Sequence, residues 1–343
     1  MSRLAIPPEI HQIFHGVPVT CHAFNRDRTS MSLTGMINNF FLIYFISEIA
    51  VSPSSHEVHV YRKNGSGWTL EQILDEHDKL VTSVDWAPIS NKLVTCAQDR
   101  NAYVWTIDAP TGKWKPQLVL LRINRAATFV RWSPQENKFA VATGSRLVAV
   151  AHLDVDNDWY TTKHIRKPLR STVTAVAWHK DNILLATGGA DGVARVFSAF
   201  VKTVDEKAVS PVWGDKLPFA TLCAEFGSLN NGPVHSTAHD GNVVFAYGPQ
   251  GPLISAPTTG LPLITSLFVA EDALVAAGHD CVPLLFKILA NNQWALVDRI
   301  DKGNNNKSVS SENSAMDMFK KLARTAQATA DVELNSVHQN TIT

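Results

Sequence analysis

An all-β fold built from copies of one small sheet is predicted by three observations. Trp86, Trp132 and Trp178 stand 46 residues apart, the same run of polar and apolar positions surrounds each, and Asp99 and Trp105 meet Asp191 and Phe197 at twice that interval. A fixed period of this length marks stacked copies of one supersecondary unit. The copies read VTSVDWAPISNKLVTCAQDRNAYVW (Val81 to Trp105), ATFVRWSPQENKFAVATGSRLVAV (Ala127 to Val150) and VTAVAWHKDNILLATGGADGVARVF (Val173 to Phe197). Each predicts three short strands: one that alternates up to the tryptophan, one that is apolar throughout, and one that ends on an aromatic residue or Val. The second strand is apolar on both faces, as a strand covered by neighbouring sheets must be, so each unit reads as a propeller blade.

The elements follow in order along the chain. Residues near Pro8 to Phe14 are expected as an outer strand that closes the array with the last blade, leaving no open edge. Val19 to Phe24 begins the first blade, which continues through Ile49 to Val51 and Glu57 to Tyr61. Phe24 precedes Tyr61 by 37 positions, against 19 from Trp86 to Trp105, so a surplus segment is expected at 29–47. After the three regular copies, Lys202 to Leu217 is polar and turn-rich and reads as a long connection. The fifth copy is short: His239-Asp240-Gly241 and Val243-Val244-Phe245 keep a turn and a third strand, with little room for the first two. A fuller copy spans Ile264 to Phe286, with its turn at Gly278-His279-Asp280. From Lys302 to Ser311 the composition turns to Asn, Ser and Lys and predicts disorder. A helix is expected next, with Ser314 and Asp317 as a capping pair and Ala315, Met318, Phe319, Leu322 and Ala326 on one face. This excursion covers 302–335, and Asn340 to Thr343 would open a final blade.

Composition narrows the function classes. The repeat predicts a single array over residues 1–343, and 31 Lys plus Arg against 31 Asp plus Glu give a net charge of +0. Such a balance lacks the basic field that sequence-independent binding of nucleic acid or an anionic membrane requires, which points to proteins as partners. Cys21, Cys96, Cys223 and Cys281 are far apart, with no CxxC pair and no signal peptide, and are expected as reduced thiols inside the cell. The longest apolar run, Phe40 to Ile46, is too short for a membrane span.

The copy from His77 to Trp105 carries the pattern of a WD repeat: His77 before the first strand, Thr95 in the second, Asp99 in the turn and Trp105 in the third. The resemblance implies a hydrogen-bonded chain of these four side chains that satisfies a buried carboxylate. Longer strings are more specific. Glu57 to Tyr61, Asp99 to Trp105, Leu121 to Val130 (LRINRAATFV), Glu136 to Val141 and Ala276 to Cys281 closely resemble the subunit 1 family of the actin-related protein 2/3 complex, the assembly that nucleates branched actin filaments. That likeness covers nearly the whole chain and implies a seven-bladed WD40-type β-propeller. Against that pattern the chain carries an insertion in blade 1, a shortened blade 5 and a missing last blade, which an unspliced or misannotated gene model would explain together, an authentic isoform being the alternative. An unclosed ring would expose strand edges and favour aggregation.

No catalytic group, cofactor or metal is expected. His77-Asp78, His239-Asp240 and His279-Asp280 fall at turns of different blades, where they would not converge on one ion. Gly188 to Gly192 precedes a strand rather than the helix a phosphate loop needs. Lys163, Arg166, Lys167 and Arg170 form a basic cluster, with Arg122 and Arg125 one blade earlier; the plain reading is a solvated rim and the sharper one an acidic protein partner. Met318 and Phe319, beside Lys320 and Lys321, either pack on the propeller or dock on a partner. The resemblance implies that the partners are the other subunits of the complex, actin and the acidic tails of nucleation-promoting factors. It places the chain in the cytoplasm and cytoskeleton, with the nucleus as a second compartment. The function read from all this is a non-catalytic scaffold; the alternative is a WD-repeat adaptor of another assembly.

Overall fold

Alternating apolar residues form the strands here, and the outcome is a series of antiparallel meanders. The computed structural model describes residues 18–25, 48–64, 67–205, 217–227, 243–246, 254–257, 263–270, 273–278, 282–289 and 294–300. The expected closing strand near Pro8, the surplus segment 29–47, the two later His-Asp turns, the excursion 302–335 and the last residues lie outside them. Among the described residues there are 22 strands and no helix.

Five sheets have four strands each, joined in sequence order. The first contains β1 (Cys21–Phe24), β2 (Glu48–Ser52), β3 (Val58–Asn64) and β4 (Gly67–Leu74). The second contains β5 (Val81–Trp86), β6 (Leu93–Ala97), β7 (Ala102–Ile107) and β8 (Trp114–Val119). The third contains β9 (Ala127–Trp132), β10 (Lys138–Thr143), β11 (Val148–Asp154) and β12 (Trp159–Ile165). The fourth contains β13 (Val173–Trp178), β14 (Leu184–Gly189), β15 (Val193–Ser198) and β16 (Leu222–Gly227). Among the described residues β17 (Val243–Ala246) and β18 (Ile254–Pro257) form a two-stranded sheet, and the last sheet contains β19 (Leu263–Ala270), β20 (Ala273–Gly278), β21 (Leu284–Ile288) and β22 (Trp294–Arg299).

The expectation of three strands per copy is therefore corrected to four. The outer strand escapes a search for apolar runs because most of its residues are exposed, as in β4. Its signal is nevertheless periodic: Trp68, Trp114 and Tyr160 recur every 46 residues at the starts of β4, β8 and β12. A conformational mark keeps the same interval, since Arg100, Arg146 and Gly192 have φ of 74°, 58° and 75° at the turn before each third strand.

The chain divides into two compact units, Met1–Arg122 with Leu153–Thr161, and Ile123–His152 with Thr162–Thr343. In the first, Ala50, Val58, Val60 and Leu74 of one sheet pack with Val84, Trp86, Leu93 and Trp105 of the next. In the second, Ala140, Val148 and Val150 pack with Val173, Val176, Leu185 and Phe197. Every residue of β2, β6 and β10 is buried, so these strands are covered on both faces. Each fully buried Val, Leu or Ile contributes about 1.5–3 kcal/mol, and this burial holds neighbouring sheets together. The three periodic tryptophans all end a first strand. Trp86 donates to Asn91 Oδ1 at 2.7 Å and stacks edge-on against Trp114, Trp132 packs edge-on against Phe139, and Trp178 donates to the Arg131 carbonyl at 3.0 Å.

Polar side chains are buried too, and an ion pair lies among them. Lys138 in β10 is 0% exposed, and its ammonium donates to the Ala199 carbonyl at 3.0 Å and to the Asp205 carboxylate. Burial pulls the Lys138 pKa below its ordinary value, with Asp205 opposing that shift. Asp205 also accepts from the Val201 N–H at 2.7 Å and from Asn182 Nδ2 at 2.9 Å. The polar stretch read as a long connection thus holds, near its start, the carboxylate of a buried ion pair. At Gly189 an added Cβ would lie 2.3 Å from Asp191 Oδ1, so a larger residue there would have to displace the Asp191 carboxylate.

Removing Asp205 leaves an uncompensated charge under β10. Asp205→Ala is expected to cost about 3–5 kcal/mol in urea unfolding. The double variant Lys138→Met with Asp205→Ala should recover at least half of that loss, and equal destabilisation of the two variants would contradict the assignment.

Candidate functional site

The four side chains expected to form a chain in the second blade do so. His77 precedes β5, Thr95 lies in β6, Asp99 in the β6–β7 turn and Trp105 in β7, and all four are buried. Trp105 Nε1 donates to Thr95 Oγ1 at 3.0 Å, Thr95 Oγ1 and His77 Nε2 are 2.8 Å apart, and His77 Nδ1 and Asp99 Oδ2 are 2.7 Å apart. One direction uses every proton: the indole donates to the hydroxyl, the hydroxyl to Nε2, and Nδ1–H to the carboxylate. Asp99 accepts further bonds from the Asn101 N–H at 2.9 Å and the Asp78 N–H at 3.2 Å. Burial by itself would raise the Asp99 carboxyl; the bonds from His77, Asn101 and Asp78 outweigh it and hold the pKa below the ordinary carboxylate value. Tyr103 closes the site, its ring edge-on to His77 at 4.8 Å.

The third and fourth blades hold the corresponding turn with different residues. In the third, Ser145 stands where Asp99 stands in the second, one period on. Its hydroxyl accepts from the Asn124 and Arg125 N–H groups and donates to Asn124 Oδ1 at 2.8 Å. In the fourth, Thr187 donates to the Arg195 carbonyl, and the buried Arg195 guanidinium pairs with Asp191 at 2.9 Å and Glu225 at 2.8 Å. The sequence shows Thr187 and Asp191 there without a His, and Arg195 supplies the missing partner. Nothing in the sequence marks Arg195 as buried, because an Arg in a strand reads as solvent-facing.

The basic residues are placed separately. Lys163 lies near the end of β12, and Arg166, Lys167 and Arg170 lie on the loop to β13; all four side chains are exposed. Arg125 is exposed on the equivalent loop before β9, held there by Ser145, whereas Arg122 ends the first unit with a φ of 53°. Arg166 contacts His164 Nδ1 at 3.0 Å, and Lys163 lies 5.7 Å from the centre of the Phe219 ring. None of these basic groups has a carboxylate partner within 4.0 Å among the described residues. Met318, Phe319, Lys320 and Lys321 lie outside the described residues.

Among the described residues no group of three His, Cys, Asp or Glu gathers as metal ligands. Cys21, Cys96 and Cys223 are free thiols, and burial pushes the Cys96 thiol up to about 12. Cys281 lies outside the described residues. No helix among those residues is long and apolar enough to cross a membrane.

Four-stranded meanders carrying a His-Thr-Asp-Trp tie define a WD40-type β-propeller, and residues 68–106 and 161–198 match the WD domain, G-beta repeat. Over 95% of its length the chain is 43% identical to actin-related protein 2/3 complex subunit 1A-A of Xenopus laevis, covering 86% of that protein. It is 40% identical to subunit 1 of the same complex in Schizosaccharomyces pombe, over 85% of this chain and 77% of that one. Against subunit 1 of Saccharomyces cerevisiae the identity is 36%, over 95% and 87%. The chain belongs to the family of actin-related protein 2/3 complex subunit 1.

The depressed Asp99 pKa sets the sign of a pH effect. The carboxylate stabilises the fold in full above the ordinary carboxylate pKa of about 4, and that contribution is lost as pH falls through the lower folded value. Asp99→Asn should therefore be markedly less stable than the parent at pH 6, with the gap narrowing towards pH 3 in urea titrations. A gap that stays constant with pH would contradict an ionised Asp99.

Proposed function

We propose that this chain is a non-catalytic scaffold subunit of the actin-related protein 2/3 complex, supporting nucleation of branched filaments through contacts with the other subunits. The observation that carries the reading is identity above 40% with a named subunit over nearly the whole chain. The built features of the described residues suit it. Chemistry needs convergent reactive groups, whereas the buried tie in the second blade spends its His, Asp and Thr on holding a turn to a strand. Such ties keep loops in register with the sheets, which is what a binding platform requires. Membership of that complex places the chain in the cytoplasm, at the cytoskeleton.

Two contact regions belong to this proposal. Lys163, Arg166, Lys167 and Arg170, with Arg125 on the equivalent loop and Arg122 before it, present cations without described carboxylate partners, and acidic tails of nucleation-promoting factors supply the opposite charge. Met318, Phe319, Lys320 and Lys321, on the 302–335 excursion, would meet actin or an actin-related subunit.

Co-expression of the full chain with the other subunits, followed by size exclusion, tests the assembly: the chain should elute with them. Arg166→Glu with Lys167→Glu should weaken binding of an acidic activator tail about tenfold, more steeply at low salt, without changing the melting temperature. Unchanged binding at physiological salt would remove the basic loop from the proposal. Met318→Ala with Phe319→Ala should impair branching at unchanged melting temperature; a matching loss of stability would mean that these residues pack on their own chain.

A further inference from the structure

The hairpin joining β11 to β12 ends in a feature that the repeat does not require. Its tip, Asp154-Val155-Asp156-Asn157-Asp158-Trp159, leaves Val155 81% and Trp159 60% exposed. One period earlier and two periods earlier, Lys113 and Gly67 occupy the position of Trp159. The aromatic that the blades share at this strand start is the next residue, in the line Trp68, Trp114 and Tyr160, so the packing of the sheet does not account for Trp159.

The tip is also held in place. Asn157 Nδ2 donates to Asp154 Oδ2 at 2.9 Å, and Gln117 Nε2 of β8 donates to the Asp158 carbonyl at 2.9 Å. An exposed tryptophan carried on a held turn orders less backbone on binding, which suits an interface anchor. Asp154, Asp156 and Asp158 flank the two apolar side chains, and none has a cationic partner within 4.0 Å among the described residues.

We propose that this hairpin tip is a docking prong for another protein chain, with Trp159 and Val155 entering an apolar pocket that the partner rims with Lys and Arg. The three carboxylates select that partner: they repel anionic lipid and nucleic acid, and they complement a basic rim. The prong is a second contact, opposite in charge to the basic loop that follows β12 in the chain. It rests on the scaffold reading, with the partner being another subunit of the same complex.

The test uses the full chain assembled with those subunits by co-expression. Trp159 should be oxidised by hydroxyl radicals in the free chain and protected in the assembly. In competition with the tagged parent for incorporation, Trp159→Ser with Val155→Ser should lose by at least about tenfold, at unchanged melting temperature. Asp156→Asn with Asp158→Asn should lose several-fold and flatten the salt dependence of association. If the parent chain assembles while Trp159 stays equally oxidisable and both variants compete as the parent does, the prong is wrong and the scaffold reading stands. If the parent itself does not assemble, both fall.

Discussion

The central strands are buried on both faces, and everything else in the described structure follows from that constraint. A strand such as Leu93–Ala97 or Lys138–Thr143 cannot be stable in a lone sheet, because one apolar face would remain in water. It needs a like sheet on either side, which is why one unit recurs along the chain at a fixed interval. The tryptophans at the ends of β5, β9 and β13 are large side chains placed where that packing begins.

Burial on both faces creates a second problem, since some polar groups at the turns between strands, Asp99 among them, go under with them. The blades answer it with different chemistry. The second ties its turn with an imidazole between a carboxylate and a hydroxyl, the third with the Ser145 hydroxyl, and the fourth with Arg195 between two carboxylates. Lys138 and Asp205 are the same solution applied to the start of a connection. An apolar interior strengthens these bonds and makes their loss expensive, so each blade is held to one register. The cost of this arrangement is that the most reactive side chains are withdrawn from solvent.

Function then falls to what remains outside. The exposed side chains that stand out are a basic loop after β12 and an acidic, aromatic tip before it, carried by one hairpin and its exit. On the reading proposed above, these opposite charges would give a chain of balanced charge two ways to choose partners. The net charge of +0 conceals both, because it averages over them.

Much of the fold was legible in the residues, because the period of 46, the alternation of β5, β9 and β13 and the turn chemistry around Asp99 are local and repeat. The His77, Thr95, Asp99 and Trp105 set was legible for the same reason: the residue types and spacing specify a particular bond pattern. The outer strands were harder to see, since an edge facing water needs no apolar run, and only the interval linking Trp68, Trp114 and Tyr160 recorded them. Arg195 with Glu225, Lys138 with Asp205 and the exposure of Trp159 were decided by tertiary structure alone. Each depends on which face of a strand a neighbouring sheet covers, and a charge or an indole has the same letter in the sequence whether it is buried, paired or left in water.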